Sequence, residues 1–394
     1  MNKLLLFLII PFLSFGQGWI QTYEDQTQLD YATQTNTGNY AFIHYSSSYS
    51  VGFCLTNESG DVIVEQFMYE DILTSGRCVQ QTNDNGYVII ANHWQNGESS
   101  IYKFDINGNL SWSIKNESIG GSYIEQTNDG GYITIGSKLT KLDSAGNIEW
   151  FNEAITGTRV HQTNNDGYII GGHDTIFKTD ENGEEEWSLN LQSTELSLDG
   201  FFYDYSNISQ TIDGGYLAIM NYEYMYFGND YCLGIYLVKL NENGVQEWIQ
   251  DINSTTYNFG LRDGRSTSDG GAIIVGARWD MAYDEADIWL MKIDNNGAEQ
   301  WNVLLDDYGC APELYSIEQT SDDGYLVAGQ NCGMGLLIKT NPEGNVTSTN
   351  IIEIPTINKK LITKVDILGK VTNNKGFQLH IYDDGSVEKK YLIK

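Results

Sequence analysis

Gln126-Thr127-Asn128-Asp129-Gly130-Gly131-Tyr132-Ile133, then Lys141-Leu142-Asp143-Ser144-Ala145-Gly146-Asn147-Ile148-Glu149-Trp150, is one of seven copies of a single pattern in this 394-residue chain. The threonine of each copy falls at Thr35, Thr82, Thr127, Thr163, Thr211, Thr267 and Thr320, a mean step of about 47 residues. Every copy holds four short runs rich in β-branched and aromatic residues, bounded by Gly, Asn and Asp, which is how strands joined by tight turns read. In the seventh copy these runs are 315–319, 325–329, 335–339 and 346–349. No window carries a sustained helical period with caps. A unit of about 40–50 residues with four strands is a propeller blade. The expected fold is all-β, a seven-bladed β-propeller of four-stranded antiparallel blades with a small C-terminal β module.

The strands of a blade are called a to d from the hub outward. The threonine precedes the residue that opens strand b by five positions in every copy, with Ala272 replacing Tyr in the sixth. The strand c Lys precedes a turn Gly by five, as in Lys103 and Gly108 or Lys339 and Gly344. The a–b and c–d turns are therefore fixed, and Asp105, Asp143, Asp180 and Asp294 sit where an Asp side chain caps such a turn. All length variation lies in the b–c and d–a connections. One face of the disc is then uniform and the other carries individual loops, where function usually resides. Strand d carries Trp112, Trp150, Trp187, Trp248 and Trp301, but the seventh copy has Ser348 there. Gln17-Gly18-Trp19-Ile20-Gln21-Thr22-Tyr23 reads like one more d strand, expected to pair with blade 7 and to cover a free sheet edge.

Residues 1–16 have a basic start, an apolar run and a small-residue exit, the pattern of a cleaved signal peptide rather than a transmembrane span. The expected organisation is signal peptide 1–16, propeller 17–352, linker 353–358 and C-terminal module 359–394. The protein is expected outside the cell or on its outer surface. The net charge of −31 argues against nucleic-acid partners, which require a basic face. Of the five cysteines, Cys310 and Cys332 flank strands a and b of one blade on the variable face, the preferred disulfide in an exported chain.

The tail changes character: residues 359–394 hold eight lysines against four acids. Its Val365-Asp366-Ile367-Leu368-Gly369-Lys370 and Tyr382-Asp383-Asp384-Gly385-Ser386-Val387-Glu388-Lys389-Lys390 resemble the last hairpins of the C-terminal sorting domain of the bacterial type IX secretion system. The resemblance implies export by that machinery, with Asp366, Leu368, Gly369, Asp384, Gly385, Lys389 and Lys390 in the sorting signal. The seven repeats are likewise similar to Gln-Thr-x-Asp-Gly-Gly-Tyr repeats that accompany such tails in secreted propeller-like proteins.

Catalytic motifs are absent: there is no His-Glu-x-x-His, no Gly-x-Ser-x-Gly elbow and no phosphate loop. His161 reads as structural, and His173 with Asp174 lacks further ligands for a metal. The Asp-x-x-Gly turns superficially suggest Ca²⁺ but lack an EF-hand's acid series, so no cofactor is expected. The aromatic and acidic content of the variable connections stands out. Tyr222, Tyr224, Tyr226 and Tyr231 lie in the fifth b–c connection, Trp279, Tyr283 and Asp284 in the sixth, and Phe202 and Tyr203 in the d–a connection before blade 5. Rings of this kind make binding hot spots for a glycan or a protein. The leading reading is non-enzymatic binding or adhesion. The alternatives are a polysaccharide hydrolase or lyase using a carboxylate pair, and a structural surface component without a specific ligand.

Overall fold

The computed structural model describes residues 18–46, 51–68, 75–93, 97–172, 174–191, 201–226, 230–253, 257–280, 286–305, 312–346, 361–365, 376–382 and 387–392; among them there is no helix. The chain divides into two units, Met1–Thr347 and Ser348–Lys394. The first is a seven-bladed β-propeller, each blade a four-stranded antiparallel sheet. The inner strands are Gln26–Gln34, Ser75–Gln81, Tyr123–Gln126, Arg159–Gln162, Phe201–Gln210, Tyr257–Ser266 and Glu313–Gln319. Each packs against the next, and the last returns to the first, which closes the ring.

Blade 7 draws three strands from the C-terminal end of the unit and its outer strand from Trp19–Tyr23. That strand runs antiparallel to Met334–Thr340, with Trp19 opposite Lys339 and Tyr23 opposite Gly335. The run 346–349 does not take this place. Val346 lies beside Gly18 in a non-strand stretch, and 347–349 fall outside the described residues.

The repeated Thr-x-Asp turn and Lys make a knot in blades 2, 3, 5, 6 and 7; blade 1 has Thr37 and Leu55 in those places, and in blade 4 Asn165 replaces the Asp and Lys178 pairs with Glu186 instead. In blade 3, Thr127 Oγ1 and the Gly131 amide donate to Asp129 Oδ1 at 2.5 and 2.9 Å. Lys141 Nζ, almost wholly buried, reaches Asp129 Oδ2 at 2.8 Å and donates to the Leu142 carbonyl at 3.0 Å. Burial alone would raise the Asp129 pKa, but the hydrogen bonds from Lys141, Thr127 and Gly131 outweigh it and hold the carboxyl at about 2. The second glycine is required because a Cβ at Gly131 would stand 2.3 Å from Leu142 O and 2.6 Å from Lys141 Nζ. The first glycine serves a positive φ with open space around it, and Asn85, Asp166 and Asp323 hold the same conformation in other blades.

Two further devices join neighbouring blades. The Gln before each threonine accepts a backbone N–H from the preceding blade's turn: Asn83 to Gln126 and Asn128 to Gln162 at 2.7 Å, and Ser321 of blade 7 to Gln34 of blade 1 at 2.7 Å. Blade 6 has Ser266 in place of this Gln, and it meets Ser209 Oγ at 2.6 Å instead. Each d-strand Trp lies under the c–d turn of the next blade and, except for Trp248, which faces Ala272 of blade 6, against that blade's Tyr, as Trp150 does to Gly183 and to Tyr168 at 6.0 Å between ring centroids. Trp19 does the same to Gly60 and, at 5.4 Å, to Tyr40. Trp19–Tyr23 therefore performs for blade 7 the packing role that the internal tryptophans perform elsewhere.

Blades 5 and 6 depart from the expected loops. Their b–c connections are mostly strand: Tyr216–Tyr226 pairs with Asp230–Leu240, and Ala272–Asp280 pairs with Ala286–Ile293. Alternating aromatic residues there extend the sheet instead of forming irregular loops.

In the second unit, Leu361–Val365, Gly376–Tyr382 and Val387–Leu392 form a three-stranded antiparallel sheet. Lys389 and Lys390 stand opposite Leu379 and Gln378. Residues 1–17 and 353–358, together with Asp366, Leu368, Gly369, Asp384 and Gly385, lie outside the described residues.

Candidate functional site: an arginine-lined axial pocket

Strand a of each blade enters from the variable face and ends at the Thr turn on the uniform face. At the variable end of the central channel lies a cavity of about 400 Å³, within the range of small-ligand sites. Its mouth is built from one repeat position, five residues before the threonine: Asp30, Arg77, Ser122, Thr158, Arg262 and Tyr315. Four of these are the extra residue of a β-bulge. The strand register slips between Leu29 and Tyr31, Gly76 and Cys78, Leu261 and Asp263, and Leu314 and Ser316. A bulge leaves its extra residue out of the ladder and re-aims the side chain. Blades 6, 7, 1 and 2, which are neighbours in the ring, each contribute one such residue to the same mouth.

Below the mouth the channel is plugged. Arg265 donates to the hydroxyls of Tyr31 and, at 3.4 Å, Tyr123, and its guanidinium lies 5.4 and 5.8 Å from the two ring centroids. Arg159 also stacks on Tyr123, 5.1 Å from its ring centroid. Asp263, whose side chain is 1 % exposed, accepts from Asn207 Nδ2 at 2.6 Å and from the Ile317 amide at 3.0 Å. The same carboxylate lies 3.6 Å from Arg159 and 3.7 Å from Arg265, so two guanidinium groups share one counter-charge. Nearer the uniform face, His161 Nδ1 meets Glu125 Oε2 at 2.6 Å, and Glu318 accepts from Thr33 Oγ1 at 3.0 Å. Burial pushes the Glu318 carboxyl up to about 7, against the opposing hydrogen bond from the Gln34 amide and the pull of Arg265.

The chain has five arginines, Arg77, Arg159, Arg262, Arg265 and Arg278, and the first four converge on this pocket and its floor. In a protein of net charge −31 this is a local reversal of sign. Arg is the side chain suited to bidentate recognition of a planar anion. Several polar atoms of the pocket complete no hydrogen bond within the protein: Asp30 Oδ2, Ser75 Oγ, Arg159 Nε and Asn207 Oδ1. Asn207 is only 5 % exposed, and buried polar groups of this kind are ordinarily satisfied. Burial raises the Asp30 carboxyl to about 6, opposed by the hydrogen bond from Gln28 and by Arg77. Among the described residues the pocket gathers no set of three metal-ligating side chains.

The aromatic residues expected to form the recognition patch are distributed differently. Tyr222 is a correction: it is buried, stacked on Tyr236 at 4.0 Å, and its hydroxyl donates to Asp251 at 2.5 Å. Packing inside the blade takes its ring out of reach of a surface ligand. Tyr224, Tyr226 and Tyr231 hold places on the blade 5 hairpin, opposite Cys232, Asp230 and Met225. Phe202 stands opposite Tyr222, Tyr203 lies in the same strand at a break in register, and Trp279 stands opposite Ala286. Tyr283 and Asp284 lie outside the described residues, as do His173 and Cys310. Cys332 is disulfide-bonded, whereas Cys54 and Cys78 are free and buried. The turn residues Asp105 and Asp143 accept from the backbone two and four residues on, which is turn capping.

No protein-family model matches the chain, and no curated protein matches it. Among solved structures it is similar to a protein of unknown function from Bacteroides caccae, with 11 % identity, a TM-score of 0.40, and coverage of 57 % of this chain and 81 % of that one. It is similar to the β-propeller domain of the Trilobed protease from Pyrococcus furiosus, with 12 % identity, a TM-score of 0.47, and coverage of 85 % and 97 %. A duf4221-family protein from Bacteroides vulgatus is similar at 10 % identity, a TM-score of 0.41, and coverage of 66 % and 91 %. These likenesses concern the propeller fold alone.

Proposed function

We propose that this chain is an exported binding protein that takes an acidic glycan, through a uronate-type carboxylate, into the axial pocket. The observation that carries the reading is the convergence of Arg77, Arg159 and Arg262 on one cavity, with Arg265 beneath it, in a chain with one other arginine. Two guanidinium groups pair with a carboxylate, while Ser75, Ser122, Thr158 and Asn207 offer hydroxyl and amide partners for a sugar ring. Tyr315 supplies an aromatic face at the rim. Export rests on the leader-like residues 1–16 and on the tail's resemblance to a type IX sorting domain.

The test is calorimetric titration of the purified protein with uronic-acid oligosaccharides and their neutral, carboxyl-reduced counterparts. Binding of the acidic series, lost on Arg77→Ala and Arg262→Ala, supports the reading. Equal binding of both series, or binding indifferent to both substitutions, defeats it. One observation favours a second reading, a polysaccharide-active enzyme: the raised Asp30 carboxyl is a proton donor at the pocket mouth. Turnover abolished by Asp30→Asn would establish that reading in place of simple binding.

A further inference from the structure

We propose that blade 1 holds a zinc-class divalent transition-metal ion between His44, Cys54 and Glu65. These residues lie on three adjacent strands, Tyr40–Ser46, Val51–Thr56 and Val62–Met68. Cys54 stands directly opposite Glu65, and His44 stands opposite Gly52, two residues along from Cys54 on the same face. The potential ligand atoms all lie within 4.8 Å of one another. His44 Nε2 is 3.1 Å and Cys54 Sγ 3.8 Å from Glu65 Oε1. Ligand atoms around tetrahedral zinc, bonded at about 2.0–2.3 Å, stand roughly 3.5 Å apart.

Three further observations distinguish this cluster from an ordinary buried polar group. His44 is fully buried, and neither of its ring nitrogens completes a hydrogen bond, although Nε2 lies 3.1 Å from Glu65 Oε1. Gly52 provides the space: a Cβ there would stand 2.0 Å from His44 Nε2. Gln26 Nε2 donates to Glu65 Oε1 at 3.3 Å and to Cys54 Sγ at 3.5 Å, the arrangement of an outer group that orients ligands. Glu65 is partly exposed and gives the ion a way in. Cys54 belongs to the core between blades 7 and 1 that includes Tyr23 of the closing strand, so the ion would sit at the seam of the ring.

The experiment uses the untagged full chain, stripped with a chelator and titrated with Co²⁺ and then Zn²⁺. We expect one Co²⁺ per chain and a near-ultraviolet thiolate-to-cobalt charge-transfer band, both removed by Zn²⁺. The band should vanish in Cys54→Ser and survive in Cys78→Ser. Glu65→Gln, an isosteric change of one ligand at the exposed rim, should keep the thiolate band but weaken Co²⁺ by at least about tenfold, since even the loss of an outer-shell partner costs that much. Zn²⁺ should raise the melting temperature of the wild type and not of Cys54→Ser. Absence of stoichiometric Co²⁺, a band retained in Cys54→Ser, or unchanged Co²⁺ affinity in a folded Glu65→Gln protein would each overturn the proposal.

Discussion

Replacing Trp19 and Tyr23 together by alanine tests ring closure without shortening the chain. Tyr23 is buried and donates a hydrogen bond to Gly60 O at 2.7 Å, and its ring packs 5.0 Å from Phe42. Trp19 is half-buried under the Gly60 turn. Truncating a buried aromatic side chain costs about 3–5 kcal/mol, and a half-buried one about half of that, so the pair should cost roughly 4–7 kcal/mol. With an unfolding entropy of about 2.1 cal/mol/K per residue over roughly 330 residues, 1 kcal/mol corresponds to about 1.4 °C. The melting temperature should therefore fall by about 6–10 °C in scanning calorimetry. The freed edge of Met334–Thr340 should also make the variant prone to self-association, seen as a concentration-dependent sedimentation profile. A shift of under about 2 °C, with the variant monomeric, would mean that the N-terminal strand is not what closes the ring.

Three further outcomes follow from the blades. Asp30 is pushed up to about 6, so lowering the pH from 7 to 5 neutralises it, leaves Arg77 and Arg262 in excess, and should tighten uronate binding; titrations that weaken over this range would contradict the assignment. Asp84, Asp129 and Asp213 are held at about 2, below their unfolded value of about 3.9, so their contribution is complete above pH 4 and is lost as pH falls toward 2; urea midpoints that rise on acidification below pH 4 would refute it. Gly131→Ala should lower the urea midpoint by an amount equivalent to at least about 2 kcal/mol because its Cβ meets Leu142 O, whereas Gly130→Asn should stay within about 0.5 kcal/mol; equal effects would remove the steric reading of the second glycine.

The architecture was legible because five of the seven blades repeat a local knot whose parts are adjacent in sequence: Thr127, Asp129 and Gly131 in one turn, with Lys141 ten residues beyond that turn glycine. The closing strand was legible for the same reason, since Trp19 carries the d-strand signature missing at Ser348. The pocket was not, because it is assembled from single residues about a blade apart. Arg77 and Arg262 are joined only by sharing the place five before the threonine, and aligning the copies on that residue would have exposed it. The bulges hide this position further, since an extra residue breaks the two-residue alternation by which strands are read. Blade 5 misled for the opposite reason. Its aromatic run looked like a binding loop, yet Tyr222 alternates inward and packs on Tyr236. The His44, Cys54 and Glu65 group depends on cross-strand register, which spacing along the chain does not encode.

The outer strand of blade 7 is the earliest part of the propeller to be synthesised, and its partner, Met334–Thr340, is among the last. Until Met334–Thr340 has been made, Trp19–Tyr23 has no strand partner and cannot take its place in blade 7. Maturation of the ring therefore hinges on a contact spanning more than 300 residues, which makes folding slow and leaves a product terminated before Met334–Thr340 with Trp19–Tyr23 unpaired.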